Sequence, residues 1–203
     1  MKMIPRIEEK VELNPSQYIN ILSWLRARNF QVLHPERTVN SIYFDNHSMQ
    51  MRHDTQEGVT PRRKLRIRYY GDQDIFHAEK LSLETKLTTP SGRFKSVQTF
   101  PNSPESFRNG LVDKVYGLCF PVVRISYTRE YYNLGNWRVT IDRNISYARL
   151  SHSAEYRRDA VDTSYVLEVK ASAGEDRDAL RNFFCFARSK FSKYERSFQC
   201  LYG

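Results

Sequence analysis

The chain has 203 residues, of which 40% are hydrophobic and 13% aromatic, and this composition excludes an intrinsically disordered protein. The formal net charge of +9 predicts an anionic partner, such as nucleic acid, anionic lipid or a phosphorylated small molecule. The sequence has no apolar run near the ~20 residues that span a bilayer, and its start lacks the apolar core of a signal peptide. We therefore expect a soluble, cytoplasmic protein.

Hydrophobic periodicity and turn residues predict an α+β protein rich in strands. A charged strand covers about residues 5–13, and Asn14-Pro15-Ser16 opens a helix to about Arg28 with Ile19, Leu22 and Leu25 on its apolar face. The further predicted strands are residues 40–45, 64–70, 77–88, 92–100, 121–132, 136–143, 145–150 and 164–171. The further predicted helices lie near Met49, at 103–116 and at 175–189.

One strand shows a pattern that recurs along the chain. In residues 64–70, Arg66 and Arg68 lie on one face of the predicted strand, and Leu65, Ile67 and Tyr69 lie on the other. The same alternation occurs in Arg6-Ile-Glu8-Glu-Lys10, Glu84-Thr-Lys86, Arg124-Ile-Ser126, Arg138-Val-Thr-Ile-Asp142 and Glu168-Val-Lys170. A repeated pattern of this kind predicts a sheet whose polar face is a functional surface.

The connections between the predicted strands are mostly hairpin-like, which favours an antiparallel sheet. About eight strands with two distinct faces predict a closed antiparallel eight-stranded β-barrel with flanking helices, formed by residues 1–203 as a single domain. If the apolar face packs under the helices, the charged face lines a tunnel. An open curved sheet satisfies the same pattern.

The charged face combines cations with a smaller number of carboxylates. Buried charges require partners or a ligand, so an excess of cations predicts a bound polyanion. Carboxylates such as Glu84 and Glu168 also suit Mg²⁺ or Mn²⁺, which bridge phosphate oxygens. Together these groups indicate phosphoryl transfer from a nucleotide or triphosphate. The residues on this face are Arg6, Glu8, Lys10, Arg66, Arg68, Glu84, Lys86, Arg124, Arg138, Asp142, Glu168 and Lys170.

The sequence resembles the VTC domain, the catalytic domain of the vacuolar transporter chaperone polyphosphate polymerases. That family belongs to the triphosphate tunnel metalloenzymes, alongside the CYTH domains. The resemblance extends from about Arg6 to Tyr194. It rests on motifs that occur in order: Arg6-x-Glu-x-Lys10, Ser41-Ile-Tyr-Phe-Asp-Asn46, Leu65-Arg-Ile-Arg-Tyr-Tyr-Gly71, Leu83-Glu-Thr-Lys86, Val139-Thr-Ile-Asp142, Leu167-Glu-Val-Lys170 and Phe191-Ser-Lys-Tyr194.

The resemblance implies a polymerase that adds the γ-phosphate of ATP to a polyphosphate chain inside a tunnel, with Mn²⁺ or Mg²⁺. It implies that Glu168 is the main metal ligand and that Lys193, with Ser192 beside it, lies at the transfer end of the site. Arg66 and Arg68 would join Lys193 and Glu168 in the catalytic set. The phosphate contacts that it implies are Lys10, Arg66, Arg68, Lys86, Arg124, Arg138, Lys170 and Ser192.

Two departures from the family pattern affect these expectations. Arg6 replaces the first Glu of the usual Glu-x-Glu-x-Lys opening, which favours the VTC branch and removes a candidate metal ligand. The eukaryotic polymerases also carry an inositol-phosphate-sensing domain and a membrane domain, and this sequence contains neither. It resembles the stand-alone VTC domains of prokaryotes, and a separate membrane protein is a candidate partner.

Three other functions remain open on the sequence. The same charged face could direct water to the terminal phosphate, and the protein would then be a triphosphate or polyphosphate hydrolase. It could also bind polyphosphate without turnover. Nucleic-acid binding would use aromatic residues such as Tyr43 and Tyr69, which alternate with basic ones. Carboxylates within the basic strands argue against this last function, because they repel a nucleic-acid backbone.

Overall fold

A computed structural model of the protein describes residues 7–72, 74–135, 137–150, 156–171 and 191–202. Its helices are α1 (Pro15–Ala27), α2 (Gln50–Gln56), α3 (Pro104–Arg108) and α4 (Lys193–Tyr202), with a short 3₁₀ turn at Ile75–His77. Its strands are β1 (Ile7–Leu13), β2 (Gln31–Asp45), β3 (Arg62–Tyr70), β4 (Leu81–Thr89), β5 (Gly92–Phe100), β6 (Leu111–Asp113), β7 (Gly117–Leu134), β8 (Trp137–Leu150), β9 (Tyr156–Asp162) and β10 (Tyr165–Ala171).

The described strands form a ten-stranded sheet in the order β1-β10-β8-β7-β2-β3-β4-β5, with β6 paired to β7 and β9 to β8. The predicted antiparallel pairing is confirmed for every pair whose register is described. The predicted closed eight-stranded barrel is wrong, because the path ends at β1 and β5 and no pairing within the described ranges joins them. Strand β5 has the character of a free edge: it is exposed from Arg93 to Thr99 and carries Lys95.

The chain divides into two compact units. The first unit takes its residues from 1–37, 127–145 and 163–191, and the second from 38–126, 146–162 and 192–203. The prediction of one domain over residues 1–203 stays a prediction.

In the first unit, helix α1 packs on the apolar face of β1, β8 and β10. Asn14 and Gln17 form a reciprocal capping box and Pro15 occupies the first turn, so the helix begins where the sequence predicts. Ile21 and Leu25 are buried in this core, whereas Ile19 is 64% exposed, so its predicted place on the apolar face is wrong. The remaining core residues are mainly aliphatic: Val11, Leu13, Val139, Ile141, Leu167, Val169 and Ala171.

In the second unit, strand β3 separates a hydrophobic core from a charged face. Leu65, Ile67 and Tyr69 are buried in the core, which confirms the alternation predicted for this strand. Arg66 and Arg68 therefore lie together on the opposite face. The core is completed by residues of the neighbouring elements: Ile42, Phe44, Met51, Ile75, Ala78, Leu81, Phe100, Phe107, Tyr116, Cys119 and Leu150.

Several predicted boundaries are wrong for local reasons. The helix predicted at 103–116 ends at Arg108, because the chain turns at Gly110, which has φ +73°. The position requires glycine, since a Cβ atom there would lie 2.7 Å from the carbonyl oxygen of Cys119. The strands predicted at 136–143 and 145–150 are one strand, β8, which passes through Asn144 with φ +52°. Strand β2 begins at Gln31 rather than near Asn40, and strand β9 was not predicted.

Two parts of the sequence prediction lie outside the described residues, namely Arg6 and the helix at 175–189. Among the helices that are described, none combines the length and apolar character needed to cross a bilayer.

Candidate functional site: two charged clusters

The arginine cluster of the second unit consists of Arg66 and Arg68 on β3, Glu84 on β4 and Lys95 on β5. Arg66 lies directly opposite Glu84 and donates to one carboxylate oxygen from Nε at 2.8 Å and from Nη2 at 2.5 Å. Lys95 Nζ contacts the other oxygen at 2.8 Å, and Arg68 Nη1 lies 3.9 Å from the carboxylate. Arg66 and Arg68 are buried, so Glu84 provides the charge that permits their burial.

The electrostatics of Glu84 reflect this arrangement. Burial opposes its ionisation, but the positive charges of Arg66 and Arg68 and the hydrogen bond from Lys95 outweigh burial and lower its pKa to about 2. The carboxylate is therefore ionised throughout the physiological range and holds the two guanidiniums in fixed positions.

The polar side chains of β2 complete the arginine cluster. Arg66 Nη1 donates to the Tyr43 hydroxyl at 2.8 Å, and Arg68 donates to Ser41 Oγ from Nε and Nη2, each at 3.2 Å. Both residues belong to the Ser41-Ile-Tyr43 segment, which alternates like β3, so their side chains share one face. These contacts orient the planar guanidiniums, which suits them to phosphate oxygens.

Lysines extend the arginine cluster toward helix α4. Lys64, Lys86 and Lys95 occupy neighbouring register positions across β3, β4 and β5. Lys64 Nζ donates to Ser192 Oγ at 3.4 Å and lies 5.3 Å from the Tyr194 ring centre. The structure thus brings the predicted residue Ser192 to the end of this lysine row, and Lys193 follows it as the first residue of α4.

The mixed cluster of the first unit combines acids and bases on β1 and β10. Lys10 lies opposite Glu168, and Glu8 lies opposite Lys170. Lys10 Nζ is 3.0 Å from Glu8 and Lys170 Nζ is 3.1 Å from Glu168. Burial opposes ionisation of Glu168, but the charges of Lys10 and Lys170 and a hydrogen bond with Glu8 hold its pKa well below the ordinary range.

Arg129 belongs to the mixed cluster, and the sequence analysis missed it. Its Nη2 lies 2.8 Å from Asp142, which is fully buried, and 3.8 Å from Glu168. The alternation that starts at Arg124 gave no signal for it, because a two-residue period places Arg129 on the same face as the buried Ile125 and Tyr127. Its partner Asp142 was predicted to lie on the charged face.

The two remaining predicted cations lie in different units. Arg138 is exposed on β8 and directly opposite Lys170, at the edge of the mixed cluster. Arg124 is half-buried on β7 within the second unit, between buried Val123 and Ile125. The strand register therefore links Arg138 to the mixed cluster, while the described contacts of the arginine cluster come from β2 to β5 and α4.

The carboxylates differ in their suitability for a divalent cation. The carboxylate of Glu84 is already bonded to Arg66 and Lys95, so the predicted metal role of Glu84 gains no support from the geometry. Glu168 has Glu8 within hydrogen-bond range, and Thr140, which lies opposite it, has a buried hydroxyl with no hydrogen-bond partner among the described residues. Oxygen donors of this kind suit Mg²⁺ or Mn²⁺, which take few protein ligands and complete their shells with water and phosphate. The described ranges contain no group of three acidic, His or Cys side chains able to hold a metal by themselves.

The profile of the VTC domain family matches residues 5–202. The chain belongs to the VTC domain family. This match covers all of the residues in both charged clusters, and it confirms the resemblance given by the motifs from Arg6 to Tyr194. No curated protein sequence matches this VTC domain.

Solved structures with the same fold come from proteins of low sequence identity. A candidate adenylate cyclase from Vibrio parahaemolyticus is 13% identical with a TM-score of 0.57, and the match covers 98% of this chain and 99% of that one. A candidate adenylyl cyclase from Hippeastrum, described as having a dominant triphosphatase activity, is 16% identical with a TM-score of 0.58, covering 95% of each chain. A conserved hypothetical protein from Pyrococcus furiosus is 14% identical with a TM-score of 0.50, covering 88% of this chain and 85% of that one.

Proposed function

We propose that this VTC domain is a polyphosphate polymerase that transfers the γ-phosphate of ATP to a polyphosphate chain with Mn²⁺ or Mg²⁺. Membership of the VTC domain family and the fold shared with a triphosphatase support an enzyme that acts on triphosphates. The observation that carries the proposal is the buried arginine pair, Arg66 and Arg68, held in place by one carboxylate. Fixed guanidiniums stabilise the charge that spreads over a phosphoryl group during transfer.

The arginine cluster is proposed to bind phosphate directly. Arg66, Arg68 and Lys86 lie on adjacent strands, and the family pattern adds Arg124. Ser192 and Lys193 are proposed to contact the phosphoryl group that is transferred, because Ser192 meets Lys64 at the end of the lysine row.

The mixed cluster is proposed to bind phosphate together with the metal. Glu168, assisted by Glu8, would hold the divalent cation, which supplies charge neutralisation at phosphate oxygens. Lys10, Lys170 and Arg138 would contact further phosphates, and Arg129 orients Glu168 through its position beside Asp142.

A hydrolase is the second candidate, and the triphosphatase activity described for the Hippeastrum protein favours it. Both reactions use the same phosphate-binding residues and differ in the nucleophile. The nucleophile is a terminal phosphate oxygen in the polymerase and water in the hydrolase. The proposed polymerase forms long-chain polyphosphate and ADP from ATP, whereas a hydrolase releases free phosphate.

The test is incubation of the purified protein with ATP and Mn²⁺, with separate assays for long-chain product and free phosphate. Long-chain product supports the proposal, free phosphate alone supports the hydrolase, and binding without turnover indicates a polyphosphate-binding module. Competition between RNA and tripolyphosphate tests nucleic-acid binding, and stronger displacement by RNA would overturn the triphosphate assignment.

Arg68→Gln is the matched probe of the arginine cluster, because Glu84 keeps its bonds to Arg66 and Lys95 in this variant. Loss of a charge-assisted hydrogen bond costs about 1.5–3 kcal/mol, so tripolyphosphate affinity should fall by about 10- to 100-fold. Arg108→Gln is the control and should bind normally, because Arg108 is exposed at the end of α3, whose Phe107 packs in the hydrophobic core on the opposite face of β3. Near-normal affinity of Arg68→Gln would contradict the proposed phosphate contact.

A further inference from the structure

The hydroxyl of Tyr43 occupies an unusual position in the arginine cluster. It accepts a hydrogen bond from Arg66 Nη1 at 2.8 Å, and the tyrosine is 8% exposed. Its ring stacks on Tyr194 with 4.8 Å between ring centres, which fixes the phenol against helix α4. The hydroxyls of Tyr147 and Tyr194, by contrast, donate to the carboxylates of Asp162 and Asp45.

Charged groups from each neighbouring element face the Tyr43 hydroxyl. Strand β3 contributes Lys64, Arg66 and Arg68, and strand β4 contributes Lys86 together with Glu84, whose charge is shared by Arg66 and Lys95. On α4 the stacked Tyr194 stays neutral, because burial and the nearby Asp45 raise its pKa well above the usual value. Burial opposes ionisation of Tyr43, but the four cations outweigh it and lower its pKa to about 7.

We propose that Tyr43 is a positioning residue for Arg66 that exchanges a proton with the solvent when phosphate binds. This inference rests on the proposed function of the arginine cluster. With no phosphate bound, the ionised phenol accepts from Arg66 and holds its guanidinium in place. A bound triphosphate brings negative charge beside the same cations, so the phenolate oxygen takes up one proton from the solvent and its O–H bond forms.

This exchange has a function in catalysis by the arginine cluster. The phenolate offsets part of the positive charge while the cluster is empty, and its protonation releases the full charge of Arg66 to the substrate. Tyr43→Phe keeps the ring that stacks on Tyr194 and removes the hydroxyl, so it separates the proton exchange from packing.

The first experiment follows tyrosine ionisation in the free protein by absorbance near 295 nm between pH 5.5 and 8.5. The wild type should show a step near pH 7 with about one-thirteenth of the amplitude of full ionisation, since the chain has 13 tyrosines. The step should disappear in Tyr43→Phe and persist in Tyr18→Phe, whose hydroxyl donates to Glu130 in the first unit. No step in the wild type, or the same step in Tyr43→Phe, would overturn the inference.

The second experiment adds metal-free tripolyphosphate at pH 7.5, where about three quarters of Tyr43 is ionised if its pKa is near 7. We expect the absorbance of the wild type to fall toward its value at low pH. Calorimetry of tripolyphosphate binding in buffers of different ionisation enthalpy measures the number of protons taken up. We expect Tyr43→Phe to take up about 0.7 fewer protons per bound ligand than the wild type. Protons taken up by the ligand itself are the same for both proteins and therefore cancel in this difference.

The outcomes separate the inference from the proposed function. Tripolyphosphate that binds the wild type without changing the absorbance overturns the role of Tyr43 and leaves the phosphate site intact. Absence of tripolyphosphate binding overturns both the phosphate site and the linked proton uptake, whatever the free protein shows.

Discussion

Replacement of Glu84 by Gln tests the electrostatic basis of the arginine cluster. Gln keeps the size of the side chain but removes the negative charge. Its one carbonyl oxygen can accept from Arg66 or from Lys95 but not from both, because an NH2 group replaces the other oxygen. Because Arg66 and Arg68 are 7% and 8% exposed, the variant leaves two buried guanidiniums without their nearest counter-charge. We therefore expect a large loss of stability from a nearly isosteric change.

The pKa of Glu84 sets the size of this effect. A displacement from 4.5 to about 2 in the folded protein corresponds to about 3 kcal/mol of stability at pH 7. Because the pKa is lowered by folding, this contribution is present above pH 4.5 and is lost as the pH falls toward 2. The difference in stability between wild type and Glu84→Gln should decrease to about 2 kcal/mol at pH 3.5.

The assay is urea unfolding followed by far-ultraviolet circular dichroism at pH 7 and pH 3.5. Tryptophan fluorescence recorded in parallel shows whether the units unfold together, because Trp24 and Trp137 both belong to the first unit, whereas Glu84 belongs to the second. The control is Glu36→Gln, which removes an ion pair with Arg143. The side chain of Glu36 is 55% exposed. Exposed pairs contribute less than about 1 kcal/mol, so this control should change stability little.

Two results would refute this reasoning. A loss below about 0.5 kcal/mol for Glu84→Gln at pH 7 would show that the carboxylate does not compensate the buried arginines. A loss that is equally large at both pH values would show that the effect comes from packing or hydrogen bonding and not from charge.

Three further variants test the assigned roles. Glu168→Gln should abolish metal-dependent turnover while the circular dichroism spectrum stays unchanged, and retained Mn²⁺ dependence would remove its role as a ligand. Arg129→Met should lower the free energy of unfolding by about 3 kcal/mol, since it leaves Asp142 buried without its nearest cation, and the Asp142→Asn double variant should recover part of the loss. Lys193→Ala should lower kcat more than tripolyphosphate affinity in steady-state and binding assays, and an equal effect on both would indicate simple phosphate binding.

The two-residue period of a strand accounts for what the sequence predicted well. Alternation in β3 assigned Leu65 and Ile67 to the core and Arg66 and Arg68 to the opposite face, since side-chain direction is a local property of the backbone. Local capping residues likewise predicted the start of α1 at Pro15. The composition of the charged face could be predicted for the same reason.

Contacts that depend on strand register could not be predicted in this way. Arg66 meets Glu84 because β3 and β4 pair in one register, and a shift by one residue would move Glu84 to the other face. Arg129 was missed because its partner Asp142 lies on a different strand, and neither residue identifies the other from sequence spacing. Sheet closure is also non-local, since it depends on whether β1 and β5 pair, and strand count alone does not decide that.

The difference in charge balance between the clusters gives a physical reason to include a metal in the proposed reaction. In the arginine cluster the cations outnumber the anions even when Glu84 and an ionised Tyr43 are both counted, so the cluster can attract phosphate without assistance. The cations are Lys64, Arg66, Arg68, Lys86 and Lys95. In the mixed cluster, Lys10, Lys170 and Arg129 are matched by Glu8, Glu168 and Asp142, and only the exposed Arg138 at its edge adds a net positive charge. Such a nearly balanced set has weak net attraction for an anion, and a divalent cation on Glu168 would supply further positive charge.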